Sequence, residues 1–297
     1  MSFYSVDLVY TSIMRKNSQE QLGPDPVFIL GADDPEMRRV REILEEEKLP
    51  YVLAEHGGER VTVRTAYIAQ HVGSLATSCS VYFVECKVDE IVPYRILDHH
   101  NPGDPGYDLP APESWRASSL GQLYALLDIE PEYSDLVLAA MDHNFPAAYR
   151  GEVPDVTPDD VLSLRIQENS RQSGLSITKF SALVSSLQQT IEKKCTDKTN
   201  MVQLGESPVL DMRDFDTGLV YSPTYLALQV ALVQMNVAAL LTTANSGKDK
   251  AKKIILTGCG TSSNVEAFFN EFGPSIGLSG IYGSKTRGYA GGYDYRE

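Results

Sequence analysis

Between Val27 and Tyr149 short apolar runs alternate with helical patterns, and that alternation restricts the fold more than any other feature of the chain. "PVFILGADDPE" opens with the run Val27–Leu30 and stops in a Gly-Ala-Asp-Asp-Pro loop, which reads as a buried strand ending at a polar turn. In "PEMRRVREILEEEKLP", Met37, Val40, Ile43 and Leu44 fall near helical spacing, and Pro35 suits a first turn. "PYVLAEHG", "SVYFVEC" and "YRILDHH" read as three further strands, and "AYIAQHVGSLA" as a helix. "SSLGQLYALLDI" begins with the N-cap candidates Ser118 and Ser119, and "SDLVLAAMDHNFPAAYRG" is a second helical pattern. The pattern predicts an α/β fold with a largely parallel sheet flanked by helices. Ligands of such sheets collect beyond the carboxyl ends of the strands.

The remainder differs. "GEVPDVTPDDVLSLR" is a Pro- and Asp-rich connector, "ITKFSALVSSLQQTIEKK" is helical, and the apolar stretch 225–241 reads as one buried helix. "AKKIILTGCGTS" gives a strand and a glycine-rich turn, and "SSNVEAFFNEFG" a helix. The expected organisation is a metal-binding domain over 1–150, a helical connector and insertion over 151–245, and a smaller glycine-rich α/β lobe over 246–297.

With 297 residues the chain is long enough for two modest domains. Its net charge of -14 argues against a protein that coats long nucleic acid, which draws on many Lys and Arg contacts to phosphate. A small anionic substrate stays open, because a bound metal reverses the local field. The four cysteines, Cys79, Cys86, Cys195 and Cys259, show no CxxC spacing, so a reducing, cytoplasmic setting is the expectation. No secretory signal or membrane span is expected, since 225–241 carries Gln229, Gln234 and Asn236. That stretch suits an interface between copies as well as a core.

The unusual polar residues stand at the ends of apolar runs: Asp33, Asp34 and Glu36, then Glu85, then Asp98, His99 and His100, then Asp142 with His143. Carboxylates that converge repel by about 4 kcal/mol per pair at 4 Å and an effective dielectric near 20, and a cation removes that penalty. Mixed carboxylates and imidazoles suit Mn²⁺, Fe²⁺ or similar ions. The bland readings are specific too. Asp98 would satisfy backbone amides of a turn. Asp33 or Asp34 would cap the helix near Pro35, with Asp33 the better cap and Asp34 the better ligand. Glu85 would be a solvated strand terminus, Asp142 a hydrogen-bonded helical Asp, and His143 is undecided. His56 and His71 read as surface or packing residues. "GCGTSS" at 258–263 lacks the Lys-Ser/Thr of a P-loop and reads as a tight turn, with Cys259 structural rather than nucleophilic.

In their order these residues resemble the DHH phosphoesterase superfamily, which includes RecJ-like exonucleases, short-oligonucleotide nucleases, cyclic-dinucleotide phosphodiesterases and manganese pyrophosphatases. The resemblance rests on the earlier acidic pair Asp34 and Glu36, the intervening strand-end Glu85, the Asp-His-His triplet after a strand, and the later Asp142. "ASSLGQL" at 117–123 and the glycine-rich "RGYAGGY" near the end are similar to further elements of that group.

The resemblance implies a divalent-metal-dependent hydrolase acting on a small phosphorylated substrate, with one or two Mn²⁺ or similar ions. Metal ligands would be Asp34, Glu36, Glu85, His99 and Asp142. His100, with His99 and Asp98, would form the catalytic group, His100 contacting phosphate or assisting proton transfer. Ser118, Ser119, Arg287, Gly288, Gly291 and Gly292 would receive the substrate. The chain departs from the pattern at Leu30, where the family has a histidine, at Glu36 and Glu85, where Asp is usual, and near Tyr293, where a histidine is missing. These departures keep a second reading open, a non-catalytic nucleotide- or phosphate-binding protein on the same scaffold.

Overall fold

The computed structural model describes residues 22–70, 72–73, 79–219, 221–244 and 252–296. The chain divides into two units, 1–143 and 144–297.

Among the described residues of the first unit, β1 (Pro26–Leu30), β2 (Tyr51–Leu53), β5 (Ser80–Val84) and β6 (Arg95–Leu97) form a four-stranded parallel sheet in the order β2-β1-β5-β6. A small hairpin of β3 (Glu55–His56) and β4 (Glu59–Arg60) accompanies it. Phe28, Ile29 and Leu30 of β1 are fully buried, as a strand covered on both faces requires. Ile29 and Phe83 pack on one face with Ala54, Val61, Ala66 and Val88.

Helix α1 (Pro35–Glu46) follows β1 directly. Pro35 occupies its first turn, and Met37, Val40, Ile43 and Leu44 form the buried stripe. The short α2 (Ser114–Ala117) leads into α3 (Ser119–Leu127), which packs against α1 and β6. Helix α4 (Tyr133–Tyr149) is broken at Asn144, whose φ of -154° and ψ of 75° are not helical. Pro146 lies just beyond, and a proline there removes a helical hydrogen bond and crowds the preceding turn.

The second unit holds a six-stranded mixed sheet in the order β11-β12-β10-β9-β8-β7 among the described residues. Its elements are α5 (Pro158–Ser173), α6 (Ile177–Thr196), β7 (Met201–Leu204), β8 (Ser207–Met212), α7 (Pro223–Gln234), β9 (Ala238–Thr243), β10 (Lys252–Gly258), α8 (Ser262–Ala267), β11 (Ser279–Ser284) and β12 (Tyr289–Asp294). Alternation along the strands separates two cores. Leu241 and Ile255 face α6 and α7, whereas Leu240, Ile254 and Leu256 face α8 and Phe268.

Three sequence expectations change. The apolar stretch 225–241 is not one helix. It leaves α7 at Gln234, turns through Asn236 in the left-handed region (φ 53°), and becomes β9. A buried helix and a buried strand have the same apolar composition, so periodicity alone does not separate them. "AYIAQHVGSLA" yields a single 3-10 turn, Ala66–Ile68, after which Ala69 is extended, while residues 71 and 74–78 lie outside the described residues. Stretches 151–245 and 246–297 are not separate bodies, because β9 from the first pairs with β10 from the second over six residues. No helix among the described residues is long and apolar enough to cross a membrane.

Candidate metal centre

Strands β1, β5 and β6 are neighbours, so the loops leaving their carboxyl ends lie side by side. Those segments are Gly31–Asp34, which leads into Glu36 in the first turn of α1, then Glu85, then Asp98–His100. Gly31 donates its amide to the carbonyl of Val84 at 2.9 Å, and a Cβ there would stand 2.2 Å from the carbonyl oxygen of Glu85. Only glycine permits that approach. Glu85 itself has φ 50°, a left-handed conformation that costs about 1–3 kcal/mol outside glycine. Neighbours hold it: its amide donates to Leu97 O at 3.2 Å, and the Ser119 hydroxyl donates to its Oε1 at 2.8 Å.

In the Asp-His-His loop, Asp98 is buried and its Oδ1 accepts from the amides of His99 (2.7 Å) and His100 (3.0 Å). The same oxygen lies 3.0 Å from His100 Nδ1, and Tyr67 donates its hydroxyl to Oδ2 at 3.0 Å. Gln122 bridges the Asp98 amide and carbonyl. Asp98 therefore shapes the turn and orients His100 rather than facing a reactant. The His100 side chain is 37% exposed, the most open ring of the pair. Gly106 closes the loop onto the Asp98 carbonyl, and a Cβ there would lie 1.9 Å from Ala117 O and 2.8 Å from His99 Cβ.

His99 is fully buried. Its Nε2 stands 3.1 Å from Asp142 Oδ2, 3.5 Å from Glu85 Oε1 and 3.8 Å from Glu36 Oε2. One ligand atom from each of these four residues lies within 4.8 Å of all the others. Ion–donor bonds of about 2.0–2.2 Å put donors of one shell roughly 3–4.4 Å apart, so the spacing suits a single divalent ion. Glu36 adds a sharper sign. Its Oε1 accepts the Leu120 amide at 2.8 Å, but its Oε2, in a side chain with no exposure, receives no donor. A buried acceptor without a donor is costly, and a cation would satisfy it. This buried Glu/His/Asp cluster is suited to a metal ion.

Electrostatics agree. Burial, and then repulsion from Glu85 and Asp142, pushes the Asp34 carboxyl well above the ordinary range. Burial, and then Asp142 and Glu85, does the same to Glu36. At Glu85 burial opposes ionisation, yet His100 and the His99 hydrogen bond overcome it and hold the carboxyl down at about 2. Burial and mutual repulsion thus disfavour charge on Glu36 and Asp34, while the two histidines favour it on Glu85.

Four of the five predicted ligands come together: Glu36, Glu85, His99 and Asp142. Asp34 is outside that set of four: its Oδ1 caps α1 by accepting the Met37 amide at 2.7 Å, while the carboxyl stays close enough to feel Glu85 and Asp142. Pro35 at the first helical position dictates that choice, because the cap is the residue before it. Asp33, expected as the cap, instead pairs with Arg60 at 3.1 Å. Ser118 and Ser119 are fully buried and turn inward. Ser118 caps α3 by accepting from Gly121 N at 2.9 Å, and Ser119 braces Glu85. Neither hydroxyl is left for a substrate.

Arg287, Gly288, Gly291 and Gly292 belong to the second unit. Arg287 lies over the Tyr289 ring at 5.3 Å, and Gly288 (φ 68°) makes the β11–β12 turn against Gly260. Gly291 and Gly292 are not in a turn. They sit inside β12 opposite Ile255 and Ile254, where side chains would strike Tyr282 and Leu278. As β12 runs between β10 and β11, its ladder rather than a ligand accounts for them. Leu30 is a core residue of β1, and Tyr293 lies on β12.

The glycine turn after β10 is a turn, ending in a capping box between Thr261 and Asn264. Burial raises the Cys259 thiol pKa, which suits a structural rather than a nucleophilic cysteine. His56 hydrogen-bonds Ile68 O, and His71 lies outside the described residues.

One contributor, Tyr67, goes unnoticed in the sequence, and another, His143, is left undecided there. Tyr67, 31 residues before Asp98, carried no recognisable signal. His143 did, as the immediate neighbour of Asp142, and its Nδ1 stands 3.0 Å from His99 Nδ1. Neither the family models nor the curated proteins compared with this chain give a match.

Proposed function

We propose that the chain is a divalent-metal-dependent phosphoesterase related to the DHH superfamily, acting on a small phosphorylated substrate such as a nucleotide, short oligonucleotide or phosphoanhydride. The observation that carries this reading is the convergence of Glu36, Glu85, His99 and Asp142, from four separate segments, into one buried set at the carboxyl ends of β1, β5 and β6. Three oxygens and one imidazole favour Mn²⁺ or a similar ion over Ca²⁺. When bound, such an ion supplies Lewis acidity toward phosphoryl oxygens and makes water a competent nucleophile near neutral pH.

The chain's own residues complete the site. Asp98 orients His100 through Nδ1, so its Nε2 is the nitrogen left to meet a phosphoryl oxygen or a proton in transit. Ser119 and the Leu120 amide, at the start of α3, hold the Glu85 and Glu36 carboxylates in place. The acidic balance of the chain favours a small substrate over long nucleic acid.

Purified protein is expected to hydrolyse bis-p-nitrophenyl phosphate with Mn²⁺ and not with EDTA, and His99→Ala should abolish turnover. Undiminished hydrolysis in that variant would refute the assignment. A second reading, phosphate or nucleotide binding without turnover, is favoured by one feature. Leu30 is buried apolar surface, Asp34 Oδ1 is taken by the cap, and the second candidate set, Glu85, His99 and His100, shares two of its ligands with the first, so a full two-ion ligand set is short of donors. Ligand binding with no hydrolysis across Mn²⁺, Mg²⁺, Co²⁺ and Zn²⁺ would select it.

A further inference from the structure

We propose that His143 is a positioning residue that fixes which nitrogen His99 presents to the acidic cluster; this rests on reading that cluster as a metal site. The inference comes from hydrogen-bond polarity along a chain of three groups. His143 Nε2 lies 2.9 Å from the carbonyl oxygen of Leu109. A carbonyl only accepts, so Nε2 carries the hydrogen. An imidazole that carries one hydrogen, on Nε2, has its lone pair on Nδ1. That atom stands 3.0 Å from His99 Nδ1, and one hydrogen must lie between two nitrogens at this distance. His99 supplies it. With Nδ1–H committed, His99 offers Nε2 to Glu36, Glu85 and Asp142, the nitrogen that measures 3.1–3.8 Å from their oxygens.

Packing makes the arrangement rigid. Both His99 and His143 are fully buried, and their rings stack with centroids 5.3 Å apart and planes 26° from parallel. Gly106 presses on the His99 Cβ from another side. Asp142 and His143 are consecutive on α4, so one helical turn touches both ends of the same imidazole: Asp142 at Nε2 and His143 at Nδ1. A metal-ligating histidine needs its second nitrogen bonded to an acceptor that sets tautomer and ring orientation, usually a carboxylate or carbonyl. Here a second histidine does so, itself anchored by the Leu109 carbonyl.

Two measurements test this. Isothermal titration with Mn²⁺ should show His143→Leu binding about 10–100-fold more weakly than wild type, the usual cost of deleting such a partner. His143→Asn, whose side-chain oxygen falls near the Nδ1 position and still accepts from His99, should recover most of that loss. In the wild type loaded with diamagnetic Zn²⁺, long-range ¹H–¹⁵N correlation of the ring nitrogens should show the Nε2–H form of His143 and the Nδ1–H form of His99. Equal Mn²⁺ affinity for wild type and His143→Leu overturns the proposal and leaves the metal site standing. A wild type that binds no divalent ion removes the metal site and this proposal with it. If His143→Leu does not fold, the ring-nitrogen spectrum decides, and an Nδ1–H form of His143 overturns the proposal.

Discussion

Glu36→Gln should move the protein's stability in opposite directions with and without metal. In the wild type, ligand oxygens of Glu36, Glu85 and Asp142 lie within 4.8 Å of one another. At that distance and an effective dielectric near 20, two full charges repel by about 3.5 kcal/mol, which adds to burial in disfavouring ionised Glu36 when no ion is bound. Glutamine retains the Oε1 that accepts the Leu120 amide and replaces the undonated Oε2 with an NH₂ that donates to its acidic neighbours. At pH 8 it also removes the cost of holding a proton, or a buried charge, on Glu36. The metal-free variant should therefore melt several degrees above metal-free wild type at pH 8.

The pH dependence has a definite sign. A carboxyl whose folded pKa is raised contributes stability below its unfolded value, about 4.5 for glutamate, and loses it as pH rises through the folded value. Metal-free wild type should weaken from pH 5 to pH 8, and the variant, with one such group fewer, should weaken less. With Mn²⁺ at a hundred times its Kd, wild type gains about 2.7 kcal/mol, or roughly 5–11 °C for a domain of this size. The variant, having lost a charged ligand, should gain almost nothing. Differential scanning calorimetry with EDTA and with Mn²⁺ at both pH values reads all four cases. A metal-free variant less stable than wild type, with Mn²⁺ stabilising both alike, would refute the reasoning.

Other expectations concern the frame around the site. Gly106→Ala places a methyl group 1.9 Å from the Ala117 carbonyl oxygen, so the Asp-His-His loop must shift. The cost should be at least about 3 kcal/mol by urea unfolding, with weakened Mn²⁺ binding. Asp135, which joins Arg39 (2.8 Å), Tyr124 and the Glu132 amide, holds α1 and α3 to the start of α4. Asp135→Asn leaves the mostly buried Arg39 short of its partner and should cost about 3 kcal/mol at pH 7. Burial works against ionisation of Asp135, but Arg39 and Tyr124 overcome it and depress the carboxyl below its usual value. Its contribution is present above pH 3.8 and fades as pH falls through the depressed value, so the difference between wild type and variant should shrink in acid.

Much was legible locally. The buried run Phe28–Leu30, the polar residue after each strand, the Pro35 start of α1 and the Ser118 cap of α3 are short-range signals, written within a few residues of where they act. They were sufficient to predict a parallel α/β domain and to place Glu36, Glu85, His99 and Asp142 at its strand ends and on its helices. What only tertiary structure decided depends on contacts remote in sequence. Adjacency of β1, β5 and β6 brings four distant residues within 4.8 Å of one another. Folding also turned Ser119 toward Glu85 and His143 toward His99, and drew 151–245 and 246–297 into one sheet. Composition could not divide 225–241 into helix and strand, because burial asks for the same apolar residues in both, and only pairing of β9 with β8 and β10 settles the difference.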